Sequence, residues 1–387
     1  MTTDSPAPPD DEVGPTTPGD WPSFAHLEQR TIVLPGRNVV FAPIPKSGST
    51  SILWLLAELA GYRTERFERS ISREVSAVMT IHDMSRWADK YVWASYSEQE
   101  RSEMAVSEEW LRFTTVRHPA ERLWSAWQSK VLLREPGFVE RFGEAEWFPE
   151  SPSRPMDVVA DFRAFVRALA DPADRPVDVH WAPQTTILAD GPAVNFVGRA
   201  ERPGLTTRRL REHVGGRKWS ALRHENRSLL PFSPSLYDEE TAEIVATLFA
   251  EDFETFGYRP VEAGRGDLGG WVGNARPYLA AISEIADRHE RIAVLHRSAH
   301  RRRRSSEGDS PTESDSPTES DSPTESDSPT EGDSPTESDS AAEGSPLRGP
   351  EPTDVTSPTE PAPDAGDGTP DTVTDPADGS TTAADPR

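Results

Sequence analysis

The chain has 387 residues, of which 34% are hydrophobic, and a formal net charge of −25. It contains no cysteine, which excludes disulfide bonds, thiolate metal sites and cysteine nucleophiles. Residues 305–387 hold 22 acidic and two basic residues and residues 1–20 hold five acidic ones, so these two segments carry the whole net charge. The neutral remainder, 21–304, is long enough for one domain with a substantial core.

The first segment, 1–20, is rich in Pro, Thr and Asp, a composition that predicts disorder. It lacks the basic and apolar regions of a secretory signal. No apolar run in the chain approaches the ~18 residues that span a bilayer. We therefore expect a soluble, cytoplasmic protein without a transmembrane segment.

Apolar strand patterns alternate with amphipathic helix patterns from 21 to 260. Strands are predicted at 31–34, 38–41, 111–116 and 194–197, and helices at 51–60, 119–133, 157–170 and 236–256. This alternation predicts an α/β fold in which helices flank a mostly parallel sheet. We take 21–260 as one domain.

The region 261–304 is predicted to be a Gly-rich linker at 264–273 followed by an amphipathic helix at 277–300 with a basic end at 301–304. The helix has an apolar stripe that either packs on the domain or forms a homodimer through a short coiled coil. Four consecutive arginines are too few to predict a nucleic-acid partner. Residues 305–387 form an acidic tail rich in Ser, Thr and Pro, with about five DSPTES hexads, and we expect it to be disordered.

The stretch APIPKSGSTS, residues 42–51, lies between a predicted strand and a predicted helix. A helix N-terminus offers unpaired N–H groups and the positive end of the helix dipole, which favour phosphate or sulfate. The candidate anion-binding residues of this loop are Pro45, Lys46, Ser47, Gly48, Ser49, Thr50 and Ser51. Here the lysine precedes the only glycine, the reverse of the order in ATP-binding loops.

A second strand-turn-helix pattern, VRHPAERLWSAW, covers residues 116–127. Arg117 supplies a planar fork suited to phosphate oxygens, and Ser125 follows two helical turns later. The alternative for Arg117 and Arg122 is an ion pair of each with a surface carboxylate. Together the two loops predict a ligand that carries phosphate groups at both ends.

These segments resemble a known family. PKSGSTS resembles the 5′-phosphosulfate-binding loop of sulfotransferases, and VRHPAERLWSAW resembles their 3′-phosphate-binding motif. HWAPQ at 180–184, FVGRAE at 196–201 and the segment 237–258 are similar to parts of the carbohydrate branch, which contains chondroitin and dermatan sulfotransferases. The resemblance covers roughly residues 30–260.

The resemblance implies a P-loop-like fold, the donor 3′-phosphoadenosine 5′-phosphosulfate (PAPS), no metal cofactor, and an acceptor hydroxyl on a carbohydrate or glycoconjugate. The eukaryotic members carry cysteines near the first loop and after the His-Trp-x-Pro-Gln motif. This chain has none, so the acceptor is left open.

Transfer to a hydroxyl requires stabilisation of the leaving phosphate and removal of a proton. Lys46 is suited to the first task. His82 lies between the two loops, where heparan-type sulfotransferases carry a catalytic histidine, and is our first candidate for the base; His180 is the second. A structural role is the alternative for each. We expect His289 and His296, on the late helix, to take no part.

A third segment, 221–228, contains Arg223, Asn226 and Ser228 and matches a 3′-phosphate loop only loosely. Two other functions stay open at this point. A nucleotide kinase is disfavoured because Gly-x4-Gly-Lys-[Ser/Thr] and an Asp-rich magnesium motif are absent. A non-enzymatic scaffold would act through the acidic tail.

Overall fold

The computed structural model describes residues 21–68, 76–216, 222–223 and 228–307. The predictions for 1–20 and for the hexad repeats lie outside these residues.

A four-stranded sheet is the centre of the described part. Its strands lie in the order β1 (Ile32–Leu34), β2 (Val39–Ala42), β3 (Leu111–Val116) and β4 (Phe196–Arg199). β1 is antiparallel to β2, whereas β2, β3 and β4 run parallel, which confirms the predicted α/β class with a mostly parallel sheet. Every residue of β2 and β3 is buried, as expected for strands covered on both faces.

Helices precede, connect and follow the strands. The α-helices are α1 His26–Arg30, α2 Ser49–Leu59, α3 Glu65–Glu68, α4 Glu98–Val106, α5 Pro119–Trp127, α6 Pro136–Phe142, α7 Pro155–Ala170, α8 Gln184–Ala189, α9 Pro203–Val214, α10 Glu239–Leu248, α11 Ala250–Phe256, α12 Leu268–Ala275 and α13 Leu279–Glu307. Short 3₁₀ turns occupy Pro35–Arg37, Ala77–His82, Met84–Arg86, Asp89–Tyr91, Trp93–Ser95, Pro234–Leu236 and Arg276–Tyr278, and a π-helical turn follows α5 at Gln128–Leu132. The predicted helix 119–133 thus changes its geometry at Gln128, and the predicted helix 236–256 is broken at Phe249.

Aromatic rings hold α5 against α7 and α12. Trp124 stacks on Trp127 at 5.3 Å between ring centroids and meets Phe162 edge-on at 4.9 Å and Trp271 at 5.9 Å. All four side chains are buried. Because such pairs add to the apolar area that they bury, this cluster fixes the position of α5, the helix that carries Ser125.

The segment predicted as a linker, 264–273, includes most of α12, which corrects that prediction. The side chain of Asp267 accepts a 2.9 Å hydrogen bond from the N–H of Gly270 and caps the helix. Trp271 is 4% exposed, and its Nε1 donates to the carbonyl of Pro231 at 2.9 Å. The cap and the buried tryptophan outweigh the low helix propensity of the glycines.

The inner face of α13 packs within the chain, against α6. Ile282, Ala286 and Ala293 are fully buried. Tyr278 and Leu295, which belong to the predicted stripe, are 43% and 66% exposed. The structure therefore shows the packing alternative for part of the stripe, and a homodimer through 277–300 stays a prediction.

Candidate active site

The carboxyl ends of the three parallel strands lie at one edge of the sheet. The register pairs Ala42 with Thr114 and Val116 with Arg199, so the loops that follow β2, β3 and β4 leave this edge together. In open α/β sheets, ligands bind at this edge. A cavity of about 820 Å³ opens there.

The cavity brings together all the residues predicted from the sequence. It is lined by Pro45, Lys46, Ser47, Gly48, Ser49, Thr50, Ser51, His82, Arg117, Ser125 and His180. Its volume is in the usual range of small-molecule sites. The two predicted anion-binding loops therefore face one common space.

The first loop has an uncommon backbone. Lys46 has a φ of 67°, rare for a residue other than glycine, and Gly48 has a φ of 84° at the N-cap of α2. The Ser47 hydroxyl is fully buried and donates to the carbonyl of Ile44 at 2.7 Å. That hydroxyl fastens the loop, so the strained turn is held by its own side chain.

The ammonium group of Lys46 lies inside the cavity, where Nζ donates to Ser129 Oγ at 2.9 Å. Burial, and then the positive charge of Lys130, lower its pKa to about 7. Near neutral pH the side chain is therefore poised between its two charge states. An anionic ligand would favour the protonated one.

His82 is hydrogen-bonded to α2, the helix that follows the first loop. Its Nε2 is hydrogen-bonded to Thr50 Oγ1 at 3.0 Å, and its carbonyl accepts a hydrogen bond from Arg30. Burial, followed by the charges of Arg30 and Lys130, lowers the pKa of His82 to about 3. The ring is thus neutral at physiological pH and able to accept a proton.

His180 forms a dyad with a carboxylate. Its Nδ1 lies 2.6 Å from Asp178 Oδ1, and the other oxygen of Asp178 accepts a 2.6 Å hydrogen bond from Arg141. Burial alone would raise the pKa of Asp178, but the bonds and charge of His180 and Arg141 lower it well below its usual range. Because an ionised carboxylate only accepts, Nδ1 of His180 carries the proton and Nε2 is unprotonated in the neutral ring. Burial and the Lys130 charge lower the pKa of His180 to about 3, although Asp178 opposes the shift.

The second loop presents Arg117 at the end of β3. Its guanidinium pairs with Glu121, one helical turn later, at 3.3 Å, which is the alternative considered from the sequence. Both side chains nevertheless line the cavity. Ser125 is 5% exposed, and its hydroxyl accepts a weak 3.4 Å hydrogen bond from Ser228 Oγ.

Of the third segment, Ser228 lines the cavity, whereas Arg223 lies over the ring of Trp54 and pairs with Glu68 at 3.3 Å. Asn226 lies outside the described residues.

Arg122 connects the first loop to the segment that carries His180. Its guanidinium is 1% exposed and donates to the carbonyls of Pro45 at 2.9 Å, Val179 at 3.0 Å and Ala182 at 2.6 Å. Burial lowers its pKa to about 10, so it stays charged at neutral pH. The surface carboxylate considered from the sequence as the partner of Arg122 is therefore wrong, because carbonyl partners 57–77 positions away leave no local pattern.

The HWAPQ segment is held in place by a second buried group. Asp252, fully buried, accepts hydrogen bonds from the backbone N–H groups of Gln184 and Thr185 at 2.9 and 2.8 Å. Gln184 in turn accepts from the N–H of Arg117 at 2.9 Å. The motif therefore connects the end of β3 to α11.

Several cavity residues were not considered from the sequence, among them His26, Arg30, Ser129, Lys130 and Glu135, and His289 also lines the cavity. Lys130 and Glu135 form a 2.5 Å ion pair. Burial lowers the pKa of His26 to about 4. The lining residue His289 corrects the expectation that the late helix takes no part in the site.

Among residues 21–68, 76–216, 222–223 and 228–307, no group of three or more His, Asp or Glu side chains is arranged to hold a metal ion. Within the same residues, no helix combines the length and the apolar character needed to cross a bilayer.

Comparisons with known proteins agree with this geometry. No curated protein and no solved structure matched the chain. A family model, described as the sulfotransferase family, matches residues 29–259, which is more than half of the chain. The match includes both loops predicted to bind anions, His82 and His180, and ends before α12. The chain therefore belongs to the sulfotransferase family.

Proposed function

We propose that this protein transfers the sulfuryl group of PAPS to a hydroxyl of a carbohydrate or glycoconjugate. The observation that carries the proposal is that the two loops predicted to bind anions face one cavity, with His82 hydrogen-bonded to Thr50 of the first loop's helix at 3.0 Å. Family membership supports sulfuryl transfer in general. The donor, the acceptor class and the base are our inferences.

In the proposed complex, the loop 45–51 holds the 5′-phosphosulfate through its N–H groups and the N-terminus of α2. Arg117 and Ser125 hold the 3′-phosphate. Arg117 exchanges or shares its contact with Glu121 when the phosphate arrives, because a dianion attracts the guanidinium more strongly than one carboxylate does. Fixing both ends orients the sulfur for in-line attack.

Lys46 stabilises the departing group. The acceptor oxygen forms a bond to sulfur while the bond between sulfur and the 5′-phosphate oxygen breaks, and the electron pair passes to that phosphate. The Lys46 ammonium, held at Ser129 in the free protein, is placed to donate to the developing charge. Such preorganised donors contribute most where water is excluded.

His82 takes the proton of the acceptor hydroxyl. Its hydrogen bond to Thr50, in the loop that we propose holds the phosphosulfate, supports this choice. The bound donor's negative charge raises the pKa of a neighbouring histidine, which counters the lowering seen in the free protein. His180, with Asp178 at Nδ1, is the second candidate for the same step.

The carbohydrate assignment has a different basis. It is supported by the likeness of HWAPQ and FVGRAE to the carbohydrate sulfotransferase branch. The cavity adds paired and neutral polar groups, such as Lys130 with Glu135, that suit a ligand with several hydroxyls.

The donor site can be tested by calorimetric titration of the full chain with adenosine 3′,5′-bisphosphate, 5′-AMP and ATP with magnesium. We expect micromolar binding of the bisphosphate that needs the 3′-phosphate. Arg117→Ala should weaken it by roughly 10- to 100-fold, the usual effect of removing a charge-assisted hydrogen bond. Arg288→Ala is the matched control, because Arg288 pairs with Glu284 four residues away on an exposed face.

Two results would contradict the proposal. One is the absence of bisphosphate binding. The other is equal binding of ATP with magnesium, which would favour a nucleotide kinase.

A further inference from the structure

The helix α13 lies beyond residue 259, where the family match ends, yet it forms part of the cavity wall. It is fastened to the segment after α5 by polar contacts. Arg134 pairs with Glu290 at 3.3 Å, and His289 Nδ1 lies 2.7 Å from the carbonyl of Leu133. The buried residues of its inner face add apolar contacts. The position of His289 is therefore held by the polar contacts of its own ring and of the neighbouring Glu290, and by the apolar packing of α13.

The contact with Leu133 determines what His289 offers to the cavity. A carbonyl oxygen only accepts hydrogen bonds, so Nδ1 carries the proton and Nε2 of the neutral ring has a free lone pair. Among the residues that the structure describes, Nε2 has no hydrogen-bond partner. A half-buried histidine that lines the cavity thus presents an acceptor to whatever enters.

The same stretch of chain connects His289 to the proposed reaction centre. Ser129 accepts the hydrogen bond from Lys46 Nζ, and Leu133, four residues later, accepts the one from His289. Ser129 lies in the π-helical turn Gln128–Leu132, and Leu133 is the residue that ends it. The ion pair of Lys130 and Glu135 lies on the same stretch and also lines the cavity.

We infer that His289 binds the acceptor. Its Nε2 accepts a hydrogen bond from one hydroxyl of a pyranoside, and a different hydroxyl receives the sulfuryl group. The inference rests on the proposed function and assigns part of acceptor selection to a helix outside the matched family region. The proposed donor complex uses no contact from this side, because we assign both of its phosphates to the loops at the sheet edge.

The test measures binding of three simple probes to the full chain by NMR titration at saturating adenosine 3′,5′-bisphosphate. The probes are methyl β-D-galactopyranoside, methyl β-D-glucopyranoside and methyl N-acetyl-β-D-galactosaminide. At least one should bind to the wild type and bind roughly fivefold more weakly to His289→Ala, as expected for one lost hydrogen bond. His289→Gln, which keeps an acceptor oxygen, should recover most of the loss.

His296→Ala is the matched control, since His296 lies on the same helix, contacts Glu140 at 3.8 Å and does not line the cavity. Thermal unfolding of each variant confirms that it is folded. Unchanged glycoside binding in His289→Ala, loss of bisphosphate binding in that variant, or no glycoside binding to a wild type that binds the bisphosphate would each overturn the inference. Failure of the wild type to bind the bisphosphate would instead contradict the proposed function.

Discussion

The two sides of the cavity are built in different ways. The proposed donor side consists of two short continuous segments, 45–51 and 117–125, each of which runs from a strand through a loop into a helix. The proposed acceptor side gathers His180, the stretch 129–135 and His289, which are far apart in the chain. The first side combines side chains with a loop backbone and a helix terminus, and the second consists of side chains from separate elements.

This difference explains why the donor side can be recognised locally. A phosphate-binding loop needs a strand end, a positive φ and a helix N-terminus within a few residues, and the sequence order supplies all three. A wall of side chains from distant elements depends on packing, so it can differ between chains that share the same loops. Changes on the donor side should therefore affect every acceptor, and changes on the other side should affect some acceptors only.

The largest effect should come from Lys46→Ala. Removing a preorganised donor to developing charge typically lowers turnover by 10²- to 10³-fold. We expect that loss in the release of adenosine 3′,5′-bisphosphate from PAPS at saturating acceptor, with a much smaller loss in binding of the bisphosphate. Lys90→Ala, an exposed lysine outside the cavity, serves as the control. Equal activity of the Lys46 and Lys90 variants would remove Lys46 from the mechanism.

The sequence predicted the sheet and the α/β class, because these depend on local patterns of apolar residues and turns, and the candidate residues of both loops line one cavity. It misassigned α12, where Asp267 and Trp271 outweigh three glycines. It also placed His289 outside the site, because the position of a histidine on an amphipathic helix becomes clear only when the helix is packed against Leu133.

Arg122 joins the two sides, so its removal should affect both stability and binding. Arg122→Met leaves the carbonyls of Pro45, Val179 and Ala182 without their buried donor, at a cost of about 3 kcal/mol in the free energy of unfolding. Chemical denaturation measures this loss. Because the first loop is released, bisphosphate affinity should fall as well.

Arg112→Met distinguishes a local effect from a general one. Arg112 is also buried and donates to three carbonyls, those of Met104, Ser107 and Ala193, but it does not line the cavity. We expect a similar loss of stability with unchanged bisphosphate affinity. If both variants weakened binding equally, Arg122 would have no special connection to the loop.

The pKa of Lys46 predicts how donor binding varies with pH. In the free protein this pKa is lowered to about 7, and a bound anion raises it because it favours the ammonium form. Above pH 7 binding must therefore take up a proton, and affinity should fall by up to about tenfold per pH unit. Below pH 7 the lysine is already protonated and contributes no slope.

Calorimetry in two buffers of different ionisation enthalpy, at pH 8, measures the proton uptake directly. Lys46→Met should remove both the uptake and the slope. A slope that persists in this variant would mean that another group titrates.

The smallest effect should come from Thr50→Val, which keeps the shape of the side chain and deletes its 3.0 Å hydrogen bond to His82 Nε2. One lost hydrogen bond corresponds to roughly a fivefold lower turnover, and bisphosphate binding should hardly change. If His82 is the base, its altered environment also displaces the acidic limb of the pH–rate profile.

Thr80→Val is the control, since the Thr80 hydroxyl donates to the backbone carbonyl of Ala77, in the same turn as His82 but outside the cavity wall. A displaced profile in Thr50→Val alone would connect the donor loop to proton removal, whereas an unchanged profile would assign that step to His180, on the acceptor side.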